Sequence, residues 1–236
     1  MTGSQPHPQT GQPIGLPVDT TPAQPPGPVT LQGRYGRIEK LNAGHAAALW
    51  PRVKDHDHIW TYMSRYGPFS GLAEFSEWMA SFASGNDPYP YAILDTTGHV
   101  LGFLALMRIG PPMRVIEVGH VVYSPDLQRT PLATEVQYLL ARYVFETLGY
   151  RRYEWNCNAL NAGSRRAALR LGFMFEGVHR QLVIAKGRNR DTAWFSMLDG
   201  EWPARKANFE RWLAPDNFSA DGKQKISLSA LNSVAE

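Results

Sequence analysis

The chain has 236 residues, 43% of them hydrophobic and 19% charged, with a formal net charge of +3 at pH 7. This is an ordinary globular mixture with room for one sizeable core plus tails, not the composition of a disordered chain. No apolar run approaches the ~20 residues of a membrane span, and the first residues lack the basic flank and apolar stretch of a secretory signal. The single cysteine, Cys157, excludes an internal disulfide framework, so a reducing cytoplasm is the expected setting.

Residues 1–32 hold Pro, Gln, Thr and Gly with almost no charge. Such a segment cannot bury enough surface to offset its ordering entropy and is expected as a disordered tail. One domain is expected over residues 33–213 and a polar tail over 214–236. Residues 33–39 read as a first strand, and Asn42 as the cap of a helix with Ala46, Leu49, Trp50 and Val53 on its apolar face. His56 and His58 could chelate a metal when extended, but no third ligand lies at a recognised spacing, so no metal is expected. Trp60 and Tyr62 either pack in a core or wall a pocket. Gly67-Pro68 breaks the chain, and residues 72–83 form a second amphipathic helix. Strands at 91–94 and 100–109 follow as a meander.

The stretch from Met113 to Ala133 carries the strongest functional signal. Its strand, residues 114–123, has β-branched residues on both parities, as in a strand covered on both faces. The loop at 124–131 leads into a long amphipathic helix, 132–148, stopped by Gly149. Backbone N–H groups at the positive end of that helix offer a site for a phosphate or pyrophosphate. A strand bearing chemistry, followed by a helix start holding an anion, suits a transferase that uses a nucleotide-tailed donor. Residues 151–157 then make a strand reached by a βαβ crossover. Asn161 opens a short helix, 162–171, ended by Gly172. Residues 173–185 and 192–198 form an antiparallel pair, and 202–213 a last helix. The pairs Arg151-Arg152 and Arg165-Arg166 read as a solvated face or as a phosphate-holding patch; no nucleic-acid motif accompanies them.

Gln128-Arg129-Thr130-Pro131-Leu132-Ala133, Asn161-Ala162-Gly163-Ser164 and Arg170-Leu171-Gly172-Phe173 with Glu176-Gly177 together resemble the GNAT acetyltransferases. Within them, the branch related to ribosomal-protein N-terminal acetyltransferases is the most similar. Trp60-Thr61-Tyr62, Gly67-Pro68-Phe69, Thr134-Glu135, Arg190-Asp191-Thr192 and Glu201-Trp202-Pro203 resemble elements of its bacterial and fungal members. Each piece alone is a weak signal; the combination over residues 34–213 is specific. The resemblance implies an α+β fold with a mixed, mostly antiparallel sheet, splayed central parallel strands and flanking helices. It implies an N-acetyltransferase moving the acetyl group of acetyl-CoA to a primary amine of a small molecule, a peptide or protein N-terminus or a lysine. Transfer would be direct, in a ternary complex. A homodimer is left open as a further assembly, and neither a membrane nor a metal is implied.

By the same resemblance, the backbone of Val121 and Val122 would line the pantetheine arm as an added strand. Gln128, Arg129, Thr130, Leu132, Ala133 and Thr134 would receive the pyrophosphate. Here the chain departs from the family, because Pro131 stands where a glycine is usual and has no N–H to give. Proline suits the first helical position, so the helix start survives, and one phosphate contact is lost or moves to the Thr130 hydroxyl or the Arg129 guanidinium. Asn161 and Ser164 either cap their helix or meet the pantetheine amide and the thioester sulfur. Ser164 matches the serine of the Asn-x-x-Ser motif that is the proposed acid in the ribosomal-type branch, and the resemblance implies it as the proton donor; the tyrosine used by many family members falls on Ala168 here.

An amine must lose a proton to attack, and Glu117 is the first candidate base, with His120 the second. Glu117 on a covered strand is otherwise costly. Positions 117 and 120 face opposite sides of a regular strand; a β-bulge between them, which the resemblance implies near this point, would turn both to the cleft and free an N–H near Val121 for a developing oxyanion. Cys157 reads as buried packing rather than an acyl carrier. Arg190-Asp191 reads as an ion-paired turn or as the border of the acceptor entrance. The rival to the enzyme is a catalytically silent coenzyme A-binding module, favoured by Pro131 and the missing tyrosine and disfavoured by Glu117 and Ser164.

Overall fold

In the structure, a computed structural model describing residues 3–233, eight strands form one sheet in the order β3-β4-β5-β6-β7-β8-β10-β9. Their ranges are β3 (Leu31–Gln32), β4 (Gly36–Lys40), β5 (Tyr89–Asp95), β6 (Val100–Gly110), β7 (Val115–Tyr123), β8 (Arg152–Asn158), β9 (Met174–Ala185) and β10 (Arg188–Leu198). The short strands β1 (Ser4–Pro6) and β2 (Pro13–Gly15) pair only with each other. Every pairing in the large sheet is antiparallel except β7 with β8. Among the described residues, no helix is long and apolar enough to cross a membrane.

Helices cover both faces, as the apolar character of the central strands requires. On one face lie α1 (His45–Val53) and α2 (Leu72–Ala83), with Leu49, Trp60, Phe75 and Met79 packed against Phe103 and Val122. On the other lie α3 (Pro131–Arg142), α4 (Ala162–Arg170), α5 (Trp202–Leu213) and α6 (Leu228–Ser233), which share the larger core with Ile116, Val118, Tyr153 and Trp155. The helix expected to run on to residue 148 continues past α3 as a π-helical turn, Tyr143–Thr147. Asn42 does not take the N-cap position of α1. Its side chain accepts from Gly44 N instead, closing a turn one step earlier.

Both flanking segments make contacts with the domain. Ala23 N donates to Pro111 O, Gln24 N to Leu148 O, and Gly27 N to the Tyr143 hydroxyl. Beyond α5, Asn217 is buried and bonded to the chain around it through Trp212 O and Ile226 O, and Leu228 and Leu231 of α6 are buried. Composition cannot reveal such docking, because the pairing groups belong to the domain rather than to the segment. Residues 1–2 and 234–236 of the two expected tails lie outside the described residues.

Candidate active site

The parallel pair β7–β8 is joined over only four residue pairs, Val115↔Arg152 to Val118↔Trp155. Residues 119–123 of β7 have no partner on that side, whereas β8 stays paired with β10 out to Asn158. Strand twist opens the two strands into a wedge, and a cavity of about 1770 Å³ runs through it from α3 to the loop before α2. On its other edge β7 carries a bulge. The register passes from Ala105↔Gly119 to Phe103↔Val122, leaving His120 and Val121 opposite Leu104 alone, and His120 takes a left-handed φ of 51°. Glu117 and His120 consequently both line the cavity, against the alternation of a regular strand. Gly119 stands between them, and a Cβ there would press on the Met107 side chain.

At one end of the cavity stands the start of α3. Pro131 occupies its first turn, and the Thr130 hydroxyl caps it, accepting from Ala133 N at 3.2 Å while donating to Leu127 O at 2.7 Å. The Thr130 hydroxyl is therefore engaged in the cap, and it also takes up one of the N–H groups that the resemblance gave to the pyrophosphate. Arg129 is exposed in a left-handed conformation, and Gln128, also exposed, donates to Tyr123 O. Thr134 is buried and accepts from Arg170 Nη1 at 3.0 Å. The Leu132 side chain packs into the core and does not line the cavity, so the contact expected of this residue falls to its backbone. Val122 packs in the α1–α2 core, while Val121 is half-buried along the unpaired edge.

Asn161 and Ser164 sit at the start of α4, on the second lip. The Asn161 side chain accepts from Ser164 N at 3.0 Å as the helix cap, and the Ser164 hydroxyl accepts from Trp155 Nε1 at 2.9 Å. Both residues line the cavity, so capping and cleft position coexist. Cys157 nearby is buried, and burial raises its thiol above the ordinary value, the opposite of an activated nucleophile.

Glu117 is 5% exposed. Its neighbour across the parallel pair is another buried carboxylate, Glu154. Arg108, reaching over from β6, bridges them, with Nε 2.6 Å from Glu117 Oε2 and Nη2 2.8 Å from Glu154 Oε2. Arg152 holds the far side of Glu154 at 2.6 Å and also binds Glu176, which accepts from Ser196. A ladder of alternating charge thus crosses the sheet on the α1–α2 side. Burial pushes the Glu117 carboxyl up to about 7; Arg108 and a hydrogen bond from Asn156 oppose the rise, and Glu154 adds to it. His120 moves the other way, down to about 4, through burial first and the charge of Arg65 second. Its Nδ1 lies 2.9 Å from the Tyr66 hydroxyl.

Arg152 is spent on two glutamates and does not serve a phosphate. Trp60 belongs to the core, whereas Tyr62, Tyr66, Trp78 and Phe82 line the cavity. Arg190 lines it too, with its guanidinium on the Ser64 hydroxyl, and Asp191 accepts from Gln181 N and Asn189 Nδ2 instead of pairing with it. Sequence reasoning missed Arg108, Tyr66 and Arg170. Only Arg170 had a local signal, lying inside a quoted motif; the other two reach the site through tertiary register. Among the described residues no group of three or more His, Cys, Asp or Glu could hold a metal.

A family model described as "Acetyltransferase (GNAT) domain" matches residues 37–174. The chain is 46% identical to a GCN5-related N-acetyltransferase from Brucella melitensis, with a TM-score of 0.87 over 90% of this chain and 98% of that one. It is 40% identical to a probable acetyltransferase of the GNAT family from Chromobacterium violaceum ATCC 12472, at a TM-score of 0.76 over 84% and 100%. Over 130 residues, 55% of this chain and 69% of the relative, it is 25% identical to the "Putative ribosomal N-acetyltransferase YdaF" of Bacillus subtilis (strain 168).

Proposed function

Since the chain belongs to the GNAT acetyltransferase family and is an acetyl-CoA-dependent acyltransferase, we propose that it acetylates a primary amine by direct transfer, with Glu117 as general base. The observation that carries this reading is a buried carboxylate, raised to about 7, lining a through-going wedge. A carboxylate in that range takes a proton from an ammonium group far better than an ordinary surface glutamate, and is still ionised in useful amounts at neutral pH. His120, lowered to about 4, stays neutral and is too weak a base to compete, so it serves as a wall of the acceptor site oriented by Tyr66.

The residues fit the donor. The unpaired edge of β7 at 119–123 offers backbone groups to an extended amide-bearing arm. The start of α3, with Arg170 beside Thr134, offers N–H groups and a cation to phosphates. Acetyl-CoA supplies the acetyl group as a thioester, an electrophile with a good leaving group. The chain's own residues do the rest: Glu117 accepts the amine proton, the bulge at His120 and Val121 turns backbone toward the reacting carbonyl, and Ser164 supplies a proton at the sulfur. The indole N–H of Trp155 donating to Ser164 Oγ strengthens that hydroxyl as a donor.

Turnover of acetyl-CoA over a panel of amines, with Glu117→Gln as the paired variant, tests the reading. Acetylated product from the wild type and its loss in the variant are expected. Coenzyme A binding without turnover of any amine would return the chain to the silent-module reading.

A further inference from the structure

At the acceptor end of the cavity one guanidinium, that of Arg190, has no carboxylate bonded to it. Arg108 is matched by Glu117 and Glu154, and Arg152 by Glu154 and Glu176. Asp87 is occupied by the backbone N–H groups of Arg108 and Ile109, and Asp191 by Gln181 and Asn189. Arg190 is left with one neutral partner, the Ser64 hydroxyl, and its Nε is buried with no partner among the described residues. Arg65 stands at the mouth of the same chamber, close enough for its charge to act on His120. A half-buried guanidinium whose Nε is buried and unfilled is unfavourable in the free protein and is relieved by an incoming anion. Arg190 is also close enough to Glu117 for the two charges to act on each other, so the anion must lie a short distance from the amine. The remaining wall is apolar: Trp78, Phe82, Met107 and Leu182.

Resting on the amine acetylation proposed above, we infer that the acceptor is a free amino acid with an apolar side chain. Its carboxylate is held by Arg190, its amine faces Glu117, and its side chain lies against Trp78 and Phe82. The fork of a guanidinium suits the two oxygens of a carboxylate. A peptide N-terminus offers no such group beside its amine, because its first carbonyl is a neutral amide. Amide formation balances without further reactants. The ammonium nitrogen gains the acetyl carbon and loses two protons, the first through Glu117 to solvent; the carbon–sulfur bond breaks, Ser164 gives its proton to the departing sulfur and regains one from the acylated nitrogen, so one proton is released per amide formed.

The test pairs leucine and phenylalanine with isopentylamine and phenethylamine, which lack only the carboxylate, and adds a short peptide beginning with leucine. Binding to the full chain is measured by calorimetry in the presence of coenzyme A, and kcat/KM separately with acetyl-CoA. The amino acids are expected to exceed their decarboxylated counterparts on the order of 100-fold in both, as for a buried charge pair made or left unmade. Arg190→Gln should collapse that ratio toward one and Arg190→Lys should retain part of it, with melting temperatures checking that both variants fold. Equal handling of amines with and without the carboxylate, a preference for the peptide, or a ratio untouched by Arg190→Gln each overturns the inference while leaving the transferase reading intact. Arg190-dependent binding of amino acids with no turnover of any amine would do the reverse, and failure of the amino acids to bind overturns the inference outright.

Discussion

Residues 115–118 and residues 119–123 belong to one strand, β7, yet live in different surroundings. The first four all pair with β8, and Val115, Glu117 and Val118 pair also with β6 across a second irregularity at Arg108 and Ile109; their one polar member, Glu117, is fixed by Arg108 within the charge ladder. The last five are bulged on one edge and free on the other, and a cavity takes the place of the missing neighbour. The closed half holds a group in place at a tuned proton affinity; the open half leaves backbone available to a ligand. Catalysis on such a strand requires both at the junction, which is where Glu117, Gly119 and His120 stand. Rigidity on one side is what makes openness on the other compatible with a fixed geometry.

The sharpest way to break the contrast is Glu117→Gln, which keeps the shape of the closed half and removes the carboxylate proposed as the base. A loss of about 10³-fold in kcat/KM is expected, roughly 4 kcal/mol of barrier. The wild-type rate should rise as pH passes through about 7, where Glu117 ionises, and the residual rate of the variant should lack that limb. Stability has the opposite sign. The carboxyl is raised above its ordinary 4.5, so the unfolded chain releases this proton at lower pH than the folded one. Its contribution is full below about 4.5 and is lost as pH rises through about 7. Denaturant melts at pH 5 and pH 8 should show that decline in the wild type and a flatter profile in Glu117→Gln. A pH-rate profile unchanged by the substitution would remove Glu117 from the proposed role.

Next in size is Arg108→Leu, which leaves Glu117 and Glu154 side by side without their shared cation. Breaking a buried pair from one side costs about 3–5 kcal/mol. Arg108 is 43% exposed in its side chain, so solvent screens part of that, and about 3 kcal/mol is expected. The penalty should shrink at pH 5, where a proton rather than a guanidinium can separate the two carboxylates. Equal destabilisation at pH 5 and pH 8, followed by urea unfolding, would show that packing on Trp194, not charge, is what Arg108 contributes.

The open half was the more legible of the two from sequence. Its loop and its helix start could be stated from Thr130, Pro131 and Asn161, because such signals are local in the chain, whereas the bulge between Glu117 and His120 was expected from the family resemblance. The ladder of the closed half was not legible. Arg108 meets Glu154 only because β6, β7 and β8 are neighbours in a particular register, and no spacing along the chain encodes a contact 46 residues away. Leu132 shows a related limit: a motif marks a loop position, while burial decides which way the side chain goes, here into the core. The partnerless Nε of Arg190 could not be read from sequence either, since it depends on what every nearby carboxylate is already doing.

A smaller effect probes the junction itself. Tyr66→Phe removes the hydroxyl 2.9 Å from His120 Nδ1 and leaves a buried ring nitrogen unsatisfied, at a cost of about 1–2 kcal/mol. The rate should fall less than tenfold, because the imidazole walls the acceptor site without taking the proton. A loss as large as that of Glu117→Gln, measured on the same amine, would assign the proton to His120 and Tyr66 instead.

The smallest change lies at the far end of the open half. Thr130→Ala deletes the cap of α3 and should lower stability by about 1 kcal/mol. The same hydroxyl holds the Ala133 N–H at 3.2 Å, an N–H that then becomes free to meet a phosphate oxygen. Two consequences therefore pull apart. The melting temperature falls, while coenzyme A affinity, measured by calorimetry, should hold or rise slightly because the released donor is already aimed by the helix. If stability and affinity fall together, the Thr130 hydroxyl is itself a phosphate ligand, and Pro131 has shifted the contact from backbone to side chain, as the sequence allowed.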